Sequence, residues 1–204
     1  TELFAKLTPP APERTLTLEP ASVSMVRKDL CELSPVLWKG KLTLLEAIRP
    51  ASGGAKEDYH LALFDAESGN EIARFAEGYS LASAFVQGDT IYAYASRYDD
   101  NNWSDVNVFW SKDLQHWESA VAITQNANEH LFNSSVCAGP DGFAMAYETN
   151  DPAWPAFTIK FARSKDLVHW TKEDGAVFGT DRYTACPCIR YANGQYYVFY
   201  LEHR

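Results

Sequence analysis

Ser111-Lys112-Asp113-Leu114-Gln115-His116-Trp117 and Ser164-Lys165-Asp166-Leu167-Val168-His169-Trp170 are one seven-residue phrase written twice. Ser and Asp side chains in such a phrase hydrogen-bond the amides of a tight turn. The Leu and Trp supply apolar bulk that packs between neighbouring units. A repeated phrase of this kind signals a repeat protein, in which each supersecondary unit buries its face against the next.

Working outward, each phrase sits in a larger unit that opens with a small residue running into an apolar strand. The openings are Ser34-Pro35-Val36, Ser83-Ala84-Phe85, Ser134-Ser135-Val136 and Cys186-Pro187-Cys188, at offsets of 49, 51 and 52 residues. A turn follows each one: Lys39-Gly40-Lys41, Gln87-Gly88-Asp89, Pro140-Asp141-Gly142 and Asn193-Gly194-Gln195. Gly beside Asn or Asp is hairpin chemistry, because it permits positive φ. The second strands are expected at 42–46, 90–95, 143–148 and 195–202, where aromatic and β-branched residues are common. Third and fourth strands flank the phrase, at 106–111 and 158–164 before its two copies. A weaker counterpart runs from Tyr59 to Asp65, turns at Glu67-Ser68-Gly69-Asn70, and continues over 72–75.

Four antiparallel strands in roughly 50 residues make the blade of a β-propeller. The fold expected is therefore all-β, a propeller of four-stranded antiparallel blades. Residues 30–204 hold blades one to three and the first half of blade four. Residues 1–29 are an N-terminal extension or a closing strand, with Thr15-Leu16-Thr17-Leu18 as the strand; residues 1–7 are the one place with a helical pattern.

The 204 residues suffice for one sizeable domain, and 46% hydrophobic with 14% aromatic content marks a chain that folds. A net charge of −9 argues against a nucleic-acid partner, whose phosphates need clustered Lys and Arg. No run approaches the roughly 18 apolar residues of a membrane span. The segment from Thr1 shows no charged-then-apolar leader pattern. Cys31, Cys137, Cys186 and Cys188 match no zinc spacing. They read as buried thiols, with a disulfide from Cys31 open in an oxidising compartment. Strand alternation places Cys186 and Cys188 on one face.

The phrase Ser-x-Asp-Leu-x-x-Trp, the Pro-containing inner strands and the run Tyr196-Tyr197-Val198-Phe199-Tyr200 resemble the five-bladed propeller glycoside hydrolases: arabinanases, β-xylosidases, invertase-like enzymes and mannoside phosphorylases. The resemblance covers about residues 30–204. It implies the five-bladed fold and a carbohydrate substrate. No cofactor is expected, and the sequence leaves the location open, with secreted or periplasmic favoured over cytoplasmic. The family carries acids at its inner-strand starts. Here Ser34 stands before Pro35, Ala84 and Phe85 fill the second place, and Ser134 and Cys186 the later ones, so those roles do not transfer. Five blades need roughly 250 residues. The chain is thus expected to be a fragment, to be completed by a second chain or by missing C-terminal residues, or to be closed by its own N-terminal segment.

Chemistry is expected at the mouth where inner strands start and second strands end. Glu46, Arg97, Glu148 and Glu202 stand at these ends, and Glu148, Glu202 and Glu46 are the expected catalytic acids. Arg97, Arg49, Trp103, Trp154, Asp99, Asn133 and His130 are the expected substrate-binding residues, and no metal-binding spacing is present. One carboxylic acid can protonate a leaving oxygen while another attacks or activates water. Exposed aromatic faces suit sugar rings. A guanidinium can hold the carboxylate of an acidic sugar. The leading expectation is a glycoside hydrolase acting on a polysaccharide or oligosaccharide. The alternatives are a lyase on an acidic sugar and a glycan-binding propeller without catalysis.

Overall fold

A computed structural model describes residues 32–50, 55–99, 102–154 and 157–203. The closing strand, the helical pattern and Cys31 expected from the sequence lie outside these residues. Among the described residues, fourteen strands form three four-stranded antiparallel sheets and one two-stranded sheet. The first blade holds β1 (Leu33–Trp38), β2 (Lys41–Ile48), β3 (His60–Asp65) and β4 (Glu71–Phe75). The second holds β5 (Tyr79–Gln87), β6 (Thr90–Asp99), β7 (Asn102–Ser111) and β8 (Glu118–Ile123). The third holds β9 (Leu131–Gly139), β10 (Gly142–Thr149), β11 (Thr158–Ser164) and β12 (Trp170–Phe178). The fourth has β13 (Tyr183–Ala192) and β14 (Gln195–His203). The helical content of the described residues is one short 3₁₀ turn, Lys56–Asp58. These are the blades of an all-β propeller, and among the described residues the fourth holds two strands.

The repeated phrase explains how the blades are joined. Ser111 Oγ accepts the Leu114 amide at 2.9 Å, and Asp113 Oδ1 accepts the amides of Gln115 and His116. Ser164 and Asp166 repeat the arrangement with Leu167, Val168 and His169. This satisfied turn carries Leu114 and Leu167 in the left-handed region, at φ 65° and 70°. That conformation costs an L-residue about 1–2 kcal/mol. The turn hydrogen bonds and the packing of the Leu side chains offset it. Trp117 stacks on Phe75 of the preceding blade, with ring centroids 3.6 Å apart. Trp170 meets Tyr94 edge to face, and the Tyr94 hydroxyl donates to the Leu167 carbonyl at 2.7 Å. The first blade keeps only the polar half of the phrase: Asp65 Oδ1 accepts the amides of Glu67 and Ser68.

Each blade therefore buries its core against the next. Leu45, Ala47, Leu61 and Leu63 of the first blade face Ile91, Ala93, Ala95 and Phe109 of the second. Tyr94, Val106 and Val108 face Val136, Met145 and Tyr147 of the third, and Ala144, Ala146, Ile159 and Phe161 face Ile189 of the fourth. Near the axis, serines tie one inner strand to another. Ser34 Oγ accepts the Ala84 amide at 2.9 Å, and Ser135 Oγ accepts the Ile189 amide at 3.2 Å.

The ladders correct two expectations. Inner strands β5, β9 and β13 each carry a bulge that sets two residues against one: Leu81-Ala82 against Ala95, Phe132-Asn133 against Glu148, and Cys186-Pro187 against Tyr200. First, Cys188, not Cys186, pairs with β14 as Ser134 pairs with β10, so the last offset is longer than the sequence alignment suggested. Second, the inserted pair breaks alternation between Cys186 and Cys188, and Cys186 is exposed with φ 50° while Cys137 is buried.

Candidate active site

The bulges aim backbone amides at carboxylates. Cys186 is held in the left-handed region, and its N–H donates to Glu148 Oε2 at 2.9 Å across the boundary between the third and fourth blades. Asn133, on the bulge of β9, donates through Nδ2 to the same oxygen at 2.9 Å. Glu148 is 4% exposed and continues the row Ala144-Ala146 that packs toward the fourth blade. Burial raises its pKa above the ordinary carboxylate value, and the two neutral donors only partly oppose this.

Leu81, at φ 56° on the bulge of β5, repeats the device between the first and second blades. Its amide is directed at the carboxylate of Glu32, the residue before β1, without closing a regular hydrogen bond to Oε2. Arg49, just past β2, holds Glu32 Oε1 at 3.2 Å. Burial raises the Glu32 pKa; Arg49 and the Leu81 amide lower it, and the negative charge of Glu148 raises it again. Glu148 and Glu32 also both push up the thiol of Cys186, after burial itself. Glu32, Glu148, Cys186, Asn133 and Arg49 thus form one cluster from the first, third and fourth blades, faced by the Leu81 amide of the second, with the Tyr183 hydroxyl within the field of Glu148.

Of the residues expected from the sequence, the structure brings together Glu148, Asn133 and Arg49. Asn133 serves as a donor to Glu148. Glu46 and Glu148 stand one residue beyond the partners of Ser34 and Ser134, Leu45 and Tyr147, whereas Arg97 and Glu202 stand three beyond the partners of Ser83 and Cys188, Tyr94 and Phe199. The four positions are therefore not equivalent. Glu46 is fully buried on the face it shares with Leu44 and Ala62, the side of the first blade turned away from the second. Glu202 has Arg182 Nη1 at 4.0 Å and accepts the Tyr200 hydroxyl at 3.5 Å. Arg97 faces Asp99 at 3.6 Å and Asp105 at 3.7 Å.

His130 is a rim strut. Nδ1 donates to the Trp103 carbonyl at 2.9 Å, so Nε2 accepts from Asn102 at 2.8 Å. Trp103 packs against Tyr59 and Tyr98, while Trp154 is 36% exposed on the turn after β10. Beneath that turn lies a buried network that the sequence did not suggest. Lys160 Nζ sits 2.6 Å from both Glu129 Oε1 and Asp151 Oδ2, and Thr149 donates to Glu129 at 2.7 Å. The sequence reading missed Glu32 because it stands before a strand, not at a strand end. Its signal was proximity: it lies two residues ahead of Ser34-Pro35. Among the described residues, no group of three or more His, Cys, Asp or Glu is placed to hold a metal ion.

No family model matches the sequence, and no curated protein matches it. Solved structures do match the fold. A thermostable family-43 glycoside hydrolase superposes with TM-score 0.62 at 16% identity, over 84% of this chain and 65% of its own. An α-L-arabinanase from Penicillium chrysogenum, solved with arabinobiose, gives 0.60 at 14% identity, over 79% and 54%. The family-32 β-fructofuranosidase of Bombyx mori gives 0.53 at 15% identity, over 80% and 39%. The chain thus spans between 39% and 65% of the length of these three. Its fold is that of the propeller glycoside hydrolases.

Proposed function

We propose that the chain carries the catalytic mouth of a glycoside hydrolase, with Glu32 and Glu148 as its two carboxylates. The observation that supports this best is the pair of left-handed bulges, each turning a main-chain N–H toward an acid at one mouth, Glu148 buried and Glu32 partly buried. Both acids are shifted upward, mainly by burial, which suits proton transfer near neutral pH. Both donors to Glu148 meet at Oε2, and among the described residues Oε1 takes no hydrogen bond. Oε1 is therefore the natural place for a proton aimed at a glycosidic oxygen. The second carboxylate attacks the anomeric carbon or draws a proton from water, and the proton released from Glu148 leaves with the alcohol.

Trp154 offers a flat face for a sugar beyond the reacting bond. Arg49 and Arg97 already face carboxylates, which weighs against a lyase that clamps an acidic sugar. The arabinan and fructoside chemistry named for the structural neighbours makes neutral furanose glycans the first substrates to try. The test is release of reducing ends from arabinan and fructan oligosaccharides, using a protein that contains these residues in a complete propeller. Cleavage lost in both Glu32→Gln and Glu148→Gln supports the reading. Undiminished cleavage in either variant removes that residue. Binding without cleavage points to a glycan-binding propeller.

A further inference from the structure

We propose that Arg49 sets the polarity of the carboxylate pair: its guanidinium, 3.2 Å from Glu32, keeps Glu32 as the ionised partner and leaves Glu148 as the one that carries the proton. This rests on the hydrolytic reading above and assigns to Arg49 a positioning role in place of direct substrate contact. Each acid has a bulge amide turned toward it, and the two differ in their remaining partner. Among the described residues, Glu148 receives hydrogen bonds only from neutral groups, the Asn133 amide and the Cys186 N–H. Glu32 faces a full positive charge, only 30% exposed in its side chain, which water screens incompletely.

The groups facing Glu32 are Arg49 beyond β2, the Leu81 amide of β5 and Glu148 of β10, with the Cys186 thiol of β13 nearby. Those facing Glu148 are Asn133 of β9, the Cys186 amide, Glu32 and the Tyr183 hydroxyl. Arg49 is the one cation in this set. When two carboxylates share a mouth and one has the cation, the proton goes to the other.

The experiment compares wild type, Arg49→Gln and Arg49→Lys by carbon-13 titration of glutamate carboxyls, assigned with Glu32→Gln and Glu148→Gln. In Arg49→Gln the Glu32 midpoint is expected to rise by about one pH unit or more. The acidic limb of the hydrolysis profile should rise with it, while Arg49→Lys stays near wild type in both. A Glu32 midpoint that stays put in Arg49→Gln, or that rises equally in Arg49→Lys, overturns the proposal. Should Arg49→Gln fail to fold, Arg49→Met, which also removes the charge, decides by the same criterion. A midpoint that moves as expected in a protein that cleaves no glycan keeps the polarity and rejects the hydrolase. Cleavage with an unmoved midpoint and acidic limb keeps the hydrolase and rejects the role of Arg49.

Discussion

Replacing Glu148 with Gln isolates the proton from the rest of the site. Asn133 Nδ2 and the Cys186 amide both donate to Oε2 at 2.9 Å. The Gln carbonyl oxygen can take that place unchanged and leave its NH2 where Oε1 stood. Fold and donor set are kept, and what is lost is an acidic proton at one atom. Removing a positioned general acid typically costs about 10²–10⁴-fold in rate, or roughly 3–5 kcal/mol of barrier.

That loss depends on the leaving group. An alcohol leaving from an oligosaccharide needs protonation, whereas an aryl leaving group departs readily as its anion. The assay is the ratio of kcat/KM for an aryl glycoside to that for the matching oligosaccharide, in wild type and Glu148→Gln. The ratio is expected to rise by about 10²-fold or more in the variant. Oligosaccharide cleavage should fade while aryl cleavage largely survives. Equal loss on both substrates would refute the assignment of Glu148 as the acid, because a damaged site or a lost nucleophile makes no such distinction. A variant with a lowered melting temperature would show instead that the two donors require a carboxylate.

Lys160→Met leaves Glu129, 1% exposed, and Asp151 without their cation, and should cost about 3 kcal/mol in urea unfolding. Glu129 and Asp151 have depressed folded pKa values, so their contribution is full above the unfolded carboxylate range and is lost as pH falls through the folded values. The gap between wild type and variant should therefore narrow in acid, and a constant gap would contradict the charge account. Trp170→Ala removes the wedge against Tyr94 and should cost about 3 kcal/mol, or roughly 6–12 °C in melting temperature for a domain of this size. A change under about 1 kcal/mol would show that the repeated phrase is not blade glue. Iodoacetamide should modify exposed Cys186 well before Cys137, which is buried and pushed up to about 11; peptide mass spectrometry gives the order.

The propeller was legible because its evidence is local and repeated. The phrase at 111–117 recurs at 164–170, and turns such as Asn193-Gly194 mark the hairpins. The third strand expected at 158–164 is the strand observed, and the one expected at 106–111 begins earlier, at Asn102, because the β6–β7 hairpin extends into the mouth. Glu148 and Asn133 were also within reach, since a strand end at the mouth and a bulge beside it are close in the ladder. Three things were not. A bulge adds one residue to a strand without changing its composition, so the alignment of Cys186 with Ser134 looked sound. The direction of a side chain at a strand end follows from that extra residue, which is why Glu46 and Glu148 could not be told apart. The partnership of Lys160, Glu129 and Asp151 joins residues 9 to 31 positions apart, and no periodicity announces it.

The two left-handed residues at the mouth connect these points. Leu81 is 5% exposed and carries a bulky side chain at φ 56°, and Cys186 sits at φ 50°. Neither is a residue type that favours this conformation, and each costs of order 1–3 kcal/mol. Strain of that size is kept where surrounding structure over-determines it, and the other left-handed non-glycine residues include Leu114 and Leu167 of the repeated turns, whose strain is offset by blade packing. At Leu81 and Cys186 the evident return is a main-chain N–H turned toward an acid of the preceding blade. The propeller repeat thus turns a bulge amide toward an acid at two blade boundaries, and Arg49 stands beside one acid while Asn133 stands beside the other. A symmetric scaffold made unequal by one cation is what two-carboxylate chemistry needs, because one acid must hold a proton at the pH where its neighbour has lost one.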